Sequence, residues 1–219
     1  MSIITLATTK GGAGKTTIAQ VLARSIHEMG YSVGVIDGDV NATLSDWLRD
    51  TEKLDVECHR VLDETQIVPT ANALNVRHDL VIIDTAGAPS QATVFAIGCS
   101  DLVLIPVQMS NGDINEAVKT FNVLRSAAAL VQRSIMGRVV FTDYTPKTKV
   151  AKHVRKQVRG AGLPSLETRL HRLVAFKELT FNGAMPRTGT ASEQAFALVD
   201  EIRTLGALDF MRPVLNEAA

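Results

Sequence analysis

Short, uninterrupted apolar runs alternate along this chain with longer stretches in which apolar residues recur every three or four positions. Residues 3–7 form the first such run and predict a buried strand. Over 16–29 the apolar positions are Ile18, Val21, Leu22, Ile26 and Met29, a helical spacing that Gly30 then ends. The same reading predicts strands at 33–36, 80–83, 102–107 and 139–141, and helices at 114–128, 149–159 and 192–203. The segment 51–75 has the least regular pattern and reads as helix-rich, with a short strand near Val56. Strands that are apolar throughout, separated by helices, predict an α/β fold with a mostly parallel twisted sheet covered by helices on both faces. No repeat, low-complexity tract or linker interrupts it, so residues 1–219 are expected to form a single domain.

Immediately after the first strand comes Thr8-Thr9-Lys10-Gly11-Gly12-Ala13-Gly14-Lys15-Thr16-Thr17. Glycines let a backbone curl so that successive N–H groups face one anion, and the helix that follows adds its positive N-terminal end. A lysine at position 15 and a hydroxyl at position 16 are placed to reach phosphates and a Mg²⁺ ion. Strand, loop and helix occur in the order that phosphate binding requires, so a P-loop is expected, with Lys10, Gly11, Gly12, Ala13, Gly14, Lys15, Thr16 and Thr17 around the phosphates. Asp79-Leu80-Val81-Ile82-Ile83-Asp84 places a carboxylate at the tip of another buried strand, where it can hold Mg²⁺.

The loop departs from the standard GxxxxGK[ST] pattern, because Thr9 stands at the first glycine position and Lys10 precedes a glycine pair. This KGGxGKT form resembles the deviant Walker A motif of ParA-like ATPases of the ParA/MinD superfamily, and the resemblance runs over nearly the whole chain. It implies a P-loop NTPase that uses ATP and Mg²⁺ and hydrolyses ATP slowly until a partner stimulates it. Lys10 matches the family's signature lysine, which reaches across an ATP-bound homodimer to the partner's phosphates. Asp37-Gly38-Asp39 matches the family's DxD, which gives Asp39 the task of orienting the attacking water beside the metal. The resemblance thus makes Lys10, Lys15 and Asp39 catalytic and Thr16, Asp39 and Asp84 the metal residues. Val40 and Asn41 replace the usual Pro and Gln, and Thr85-Ala86-Gly87-Ala88-Pro89 takes the place of the switch loop. The strand Leu104 to Gln108, and Arg172 to Glu178 before Gly183, also match family segments. Base contacts are expected from the C-terminal half, near Thr142 and at Met185 and Pro186.

The formal net charge is zero, which by itself indicates neither a nucleic acid nor a membrane as partner. The distribution is uneven. Between Arg133 and Lys177 there are eleven lysines and arginines against Asp143 and Glu167, a surplus of nine that the rest of the chain offsets. Lys149, Lys152, Arg155, Lys156 and Arg159 recur at helical spacing, and Arg169 and Arg172 follow. A basic face of this kind neutralises phosphates without reading sequence. The alternative is a solvated helix face. No aromatic residue interleaves the run, which favours duplex phosphate contacts over stacking on single strands. Some ParA relatives bind nonspecific DNA as ATP dimers through this half of the chain.

Other features narrow the field. Cys58 and Cys99 have no CxxC partner, so neither a metal cluster nor a disulfide framework is expected. The five histidines show no ligand spacing. No signal peptide or membrane span is predicted, and the C-terminal segment lacks the basic amphipathic helix of MinD-like proteins. The expectation is a cytoplasmic, nucleoid-associated ATPase that positions or segregates a plasmid or chromosome. It would dimerise with ATP, bind nonspecific DNA, and answer to a centromere-binding or adaptor protein, with no membrane partner. Alternatives are a ParA-like ATPase of conjugative DNA transfer or of protein-cluster positioning, then a MinD-like membrane-bound regulator or a metabolic ATPase.

Overall fold

The computed structural model describes residues 2–50, 54–88, 90–183 and 187–211. Its strands are β1 (Ser2–Leu6), β2 (Val33–Gly38), β3 (Glu57–Arg60), β4 (Leu80–Thr85), β5 (Leu102–Val107), β6 (Met136–Tyr144) and β7 (Ser165–His171). Its helices are α1 (Lys15–Glu28), α2 (Thr43–Asp50), α3 (Ile67–Arg77), α4 (Gln91–Gly98), α5 (Asn111–Val131), α6 (Lys149–Gly160), α7 (Val174–Asn182) and α8 (Thr190–Thr204).

The strands form one sheet in the order β3-β2-β4-β1-β5-β6-β7, and every pairing is parallel. The chain builds outward from β1 first toward β3 and then, after β4, toward β7. The crevice at such a reversal, at the carboxyl ends of the strands, is where open α/β sheets bind ligands. Here it receives the loop after β1.

Both faces are covered, as continuous apolar strands require. Ile4 and Leu6 of β1 lie in a core shared with α1, α2, α7 and α8. Ile3 faces the opposite core with α3 and α4, and Val103, Ile105 and Val107 of β5 meet α5 and α6. Helix starts follow local chemistry: Ser90, Ser110 and Thr148 each accept from a backbone N–H in the first turn of α4, α5 and α6. Gly34 and Gly137 are glycines because a Cβ would come within 2.9 Å of His78 and 2.8 Å of Leu124 and Phe121, respectively.

The predicted elements all occur, with ends shifted by a few residues, and the irregular segment contains α3 and, just after Val56, β3. The pattern did not predict β7, α2, α4 or α7. β7 reads Ser-Leu-Glu-Thr-Arg-Leu-His, too polar to stand out, because it is an edge strand. Its outward N–H groups are capped from α8. Glu201 accepts from Glu167 N at 2.7 Å and Thr168 N at 2.8 Å, and Gln194 accepts from His171 N at 2.8 Å. The opposite edge, β3, is tied down at Glu57, whose carboxylate meets His59 at 2.7 Å and both His78 and Arg77 at 2.8 Å.

Candidate functional site

The loop between β1 and α1 is shaped by two left-handed glycines, Gly12 at φ 73° and Gly14 at φ 101°. Its carbonyls are held from the neighbouring strands: Thr142 Oγ1 donates to Ala13 O at 2.7 Å, and Gln108 Nε2 donates to Gly12 O at 2.9 Å. α1 begins with no side-chain cap and no acid in its first turn. Its first N–H groups and its positive end are therefore free of an internal anion, the condition for binding an external one. Thr142 stands on β6 as a support for the loop, and a Cβ on Gly14 would already lie 3.3 Å from it.

Lys15 is 6% exposed, and burial lowers its pKa against the pull of Asp84 and Asp39. Asp84 lies one residue before the end of β4, opposite Leu6 of β1 and Asp37 of β2. Burial raises its carboxyl to about 7; the Thr16 hydrogen bond and Lys15 oppose the rise, and the Asp37 and Asp39 carboxylates add to it. Thr16 Oγ1 donates to Asp84 Oδ2 at 2.7 Å, whereas Asp84 Oδ1 is buried with no hydrogen-bond partner among the described residues. A hydroxyl and an unsatisfied carboxylate oxygen, side by side beside a phosphate loop, fit a hard divalent cation such as Mg²⁺.

Asp37, fully buried, is the organiser of the next loop: its carboxylate accepts from Asp39 N at 3.0 Å and from Ser45 N at 2.8 Å. Asp39 in turn accepts from Asn41 N at 2.9 Å and Asn41 Nδ2 at 2.8 Å. The turn ends on Ala42 at φ 54°, a left-handed position that costs a non-glycine residue about 1 kcal/mol. Trp47 of α2 donates its indole N–H to Leu179 O of α7 at 2.6 Å, which couples this loop's helix to the C-terminal half.

Lys10 lies on the outer side of the loop and pairs with Asp113 of α5, Nζ to Oδ1 at 2.9 Å. Thr9 Oγ1 donates to Glu116 Oε2 one turn further along the same helix. From the other side the loop after β4 presses in: a Cβ on Gly87 would lie 2.8 Å from Gly11 Cα and 2.9 Å from Gly11 N.

A cleft of about 400 Å³ opens from Gly12, Gly14 and Thr17 toward Thr142, Leu170, His171, Arg172, Phe176 and Lys177. It continues the phosphate loop toward the ends of β6 and β7 and the start of α7. Thr142, near which base contacts are expected, lines this cleft; Arg172, Phe176 and Lys177 belong to the segment that matches the family but carried no nucleotide role in the sequence reading, and Leu170 and His171 were given no place beside the loop. Met185 and Pro186 lie outside the described residues.

The predicted basic residues divide in two. Lys152, Arg155, Lys156 and Arg159 of α6 line a groove of about 680 Å³ with Lys147 and Arg169, over Phe141, Tyr144 and Leu166. Lys149 sits exposed at the start of α6. Among the described residues none of the five α6 cations forms an ion pair. Arg169 pairs with Glu167 at 3.1 Å and stacks over Tyr144 at 5.4 Å. Arg172 lies instead at the cleft beside the phosphate loop, where Asp143 holds it through two bonds of 2.7 and 2.5 Å. Among the described residues no helix is long and apolar enough to cross a membrane, and no group of three or more His, Cys, Asp or Glu side chains could hold a metal.

Comparison with known proteins adds four findings. The family model described as VirC1 protein matches residues 1–201. The chain is 31% identical to Protein ParA of Rhizobium radiobacter over 147 residues, 67% of this chain and 66% of ParA. It is 28% identical to Protein virC1 of Rhizobium radiobacter over 204 residues, 86% of this chain and 84% of virC1. Its fold matches the ATP complex of a Cyanothece McdA variant with a TM-score of 0.74 at 17% identity, over 94% of this chain and 96% of that one.

Proposed function

This chain belongs to the VirC1 protein family, with the fold of a ParA/MinD-type P-loop ATPase, and on that premise we propose that it is an ATP-driven positioning switch. ATP binds at the loop from Lys10 to Thr17 and joins two copies; the dimer holds duplex DNA without sequence preference. Hydrolysis, stimulated by a centromere-binding or adaptor protein, releases it. The observation that carries this reading is a lysine-bearing phosphate loop in one chain with an α6 whose cations have no acid partners among the described residues.

In this reading each residue acts through what it already touches. Lys15, desolvated between the loop and two carboxylates, presents its charge to the β- and γ-phosphates. Thr16 and Asp84 hold Mg²⁺, with Asp39 beside them. Such an ion, when bound, would supply charge neutralisation for the phosphoryl group. Asp39, oriented by Asp37, positions the attacking water. Lys10 serves the partner copy's phosphates, the residues of the cleft beside the loop receive the base, and the family resemblance adds Met185 and Pro186 as base contacts. Lys149, Lys152, Arg155, Lys156, Arg159, Arg169 and Arg172 supply the DNA-facing charge, with the four groove cations of α6 making the larger contribution because no acid among the described residues pairs with them.

The test is binding to unrelated duplex DNA with ATP, ADP or no nucleotide at two salt concentrations, for the wild type, Lys15→Ala and a variant with Lys152, Arg155, Lys156 and Arg159 changed to Gln. Binding only with ATP, lost in both variants and falling steeply with salt, is expected. Binding that ignores nucleotide, or that survives loss of the α6 charges, overturns the DNA reading. It would turn the search for cargo toward a protein cluster.

A further inference from the structure

We propose that Asp113 is a positioning residue for Lys10: together with Glu116, it holds the lysine-bearing turn against its own subunit and so sets the threshold at which two copies join on ATP. This rests on the ATP-dependent dimer proposed above.

The ion pair is lopsided. Lys10 has 41% of its side chain exposed, whereas Asp113 has 1%. The carboxylate cannot exchange the ammonium for water, so departure of Lys10 leaves a buried charge with Ser110 Oγ as its remaining partner among the described residues. The lysine itself loses little on leaving, because half of it is already in solvent. The preference for the held state therefore resides in the burial of Asp113, and a competitor must offer Lys10 more than one negative charge. A triphosphate on a second copy does so.

Two further contacts make the turn a unit. Thr9 is bonded to Glu116, one helical turn beyond Asp113, and Glu116 is itself steadied by Lys119 at 2.7 Å. Opposite them, the 86–88 loop leaves no room for a methyl group between Gly87 and the Lys10–Gly11 backbone. The turn is thus bracketed by α5 carboxylates on one side and by the loop that follows Asp84 on the other. A shift of that loop is passed directly to the segment bearing Lys10. Capping of α5 does not explain the Asp113 carboxylate: Ser110 Oγ accepts from Asp113 N and caps the helix, while among the described residues the carboxylate oxygens meet Ser110 and Lys10 and no backbone N–H.

The experiment compares wild type, Asp113→Asn, Asp113→Glu and Thr9→Val in the full chain by two readouts. The first is acetylation of the Lys10 amine without nucleotide, measured by mass spectrometry against Lys119 and Lys147. The second is the protein concentration at half-maximal dimerisation with ATP, from sedimentation. Asp113→Asn is expected to raise Lys10 labelling severalfold and lower the half-dimer concentration by about tenfold; Asp113→Glu restores both toward wild type. Thr9→Val gives a smaller rise in labelling and keeps the test open should Asp113→Asn fail to fold. Unchanged Lys10 labelling in these variants overturns the proposal. So does a weaker dimer in Asp113→Asn, which is what a merely structural role would produce. If the wild type forms no dimer with ATP, the proposed function falls, and labelling still decides whether Asp113 holds Lys10.

Discussion

Replacing Gly87 by alanine sets a methyl carbon 2.8 Å from Gly11 Cα, 2.9 Å from Gly11 N and 3.3 Å from the Lys10 carbonyl carbon. All three are backbone atoms, so no side chain can rotate away. Bringing 2.8 Å to an ordinary contact of 3.4 Å requires the two loops to part by about 0.6 Å. Overpacking against a fixed neighbour costs about 1–3 kcal/mol. For a chain of this length each kcal/mol lowers Tm by about 2–4 °C, so a fall of about 2–12 °C is expected. The displaced groups are the phosphate loop and the loop after Asp84, and a misplacement approaching 1 Å at such a site costs up to about a hundredfold in turnover. Thermal unfolding without nucleotide and steady-state ATP hydrolysis measure the two effects separately. Gly160→Ala is the control, since its Cβ would meet nothing within 4 Å at the end of α6. Gly87→Ala with the Tm and the turnover of the wild type would refute the argument that these loops are in rigid contact.

Two further predictions concern the sheet edges. Glu201→Leu removes the acceptor for Glu167 N and Thr168 N, and is expected to cost about 1–3 kcal/mol and to raise aggregation on heating by opening β7 to strand pairing; an unchanged Tm with no added light scattering would count against the capping role. At the other edge, hydrogen bonds from His59 and then His78 lower Glu57 from 4.5 to about 2. A carboxylate depressed on folding contributes stability that is fully present above the unfolded value and lost as pH falls through the folded one, here between about 4.5 and 2. With a third of the side chain exposed, solvent screening holds the contribution to about 1 kcal/mol or less. Carbon-13 NMR titration of the Glu57 carboxyl should give a midpoint well below 4.5; a midpoint at 4.5 would remove the contribution.

How far the sequence carries depends on how local the chemistry is. The phosphate loop was legible because its parts are contiguous: a strand, glycines that adopt positive φ, a lysine and a hydroxyl at the start of a helix. Asp84 was legible as a carboxylate at the tip of an apolar strand. Asp37 was quoted in the motif but not given its part, since only the folded turn reveals that it receives the N–H groups of Asp39 and Ser45. The partner of Lys10 was out of reach, because Asp113 lies 103 residues away and looks in sequence like an ordinary first-turn acid of a helix.

The charge count behaved likewise. A surplus of nine between Arg133 and Lys177 is a property of the sequence, but charge is spent pairwise in three dimensions. Arg172 is held by Asp143, and Arg169 by Glu167 and the Tyr144 ring, while Lys152, Arg155, Lys156 and Arg159 converge on one groove. The sequence by itself determined the layered α/β architecture and the phosphate loop, since hydrophobic period and backbone freedom act over a few residues. Only the tertiary structure decided which cations stay unpaired, where the cleft beyond the loop lies, how a polar edge strand is closed by α8, and which acid holds Lys10. Each of these rests on contacts between segments that the parallel crossovers bring together from distant parts of the chain.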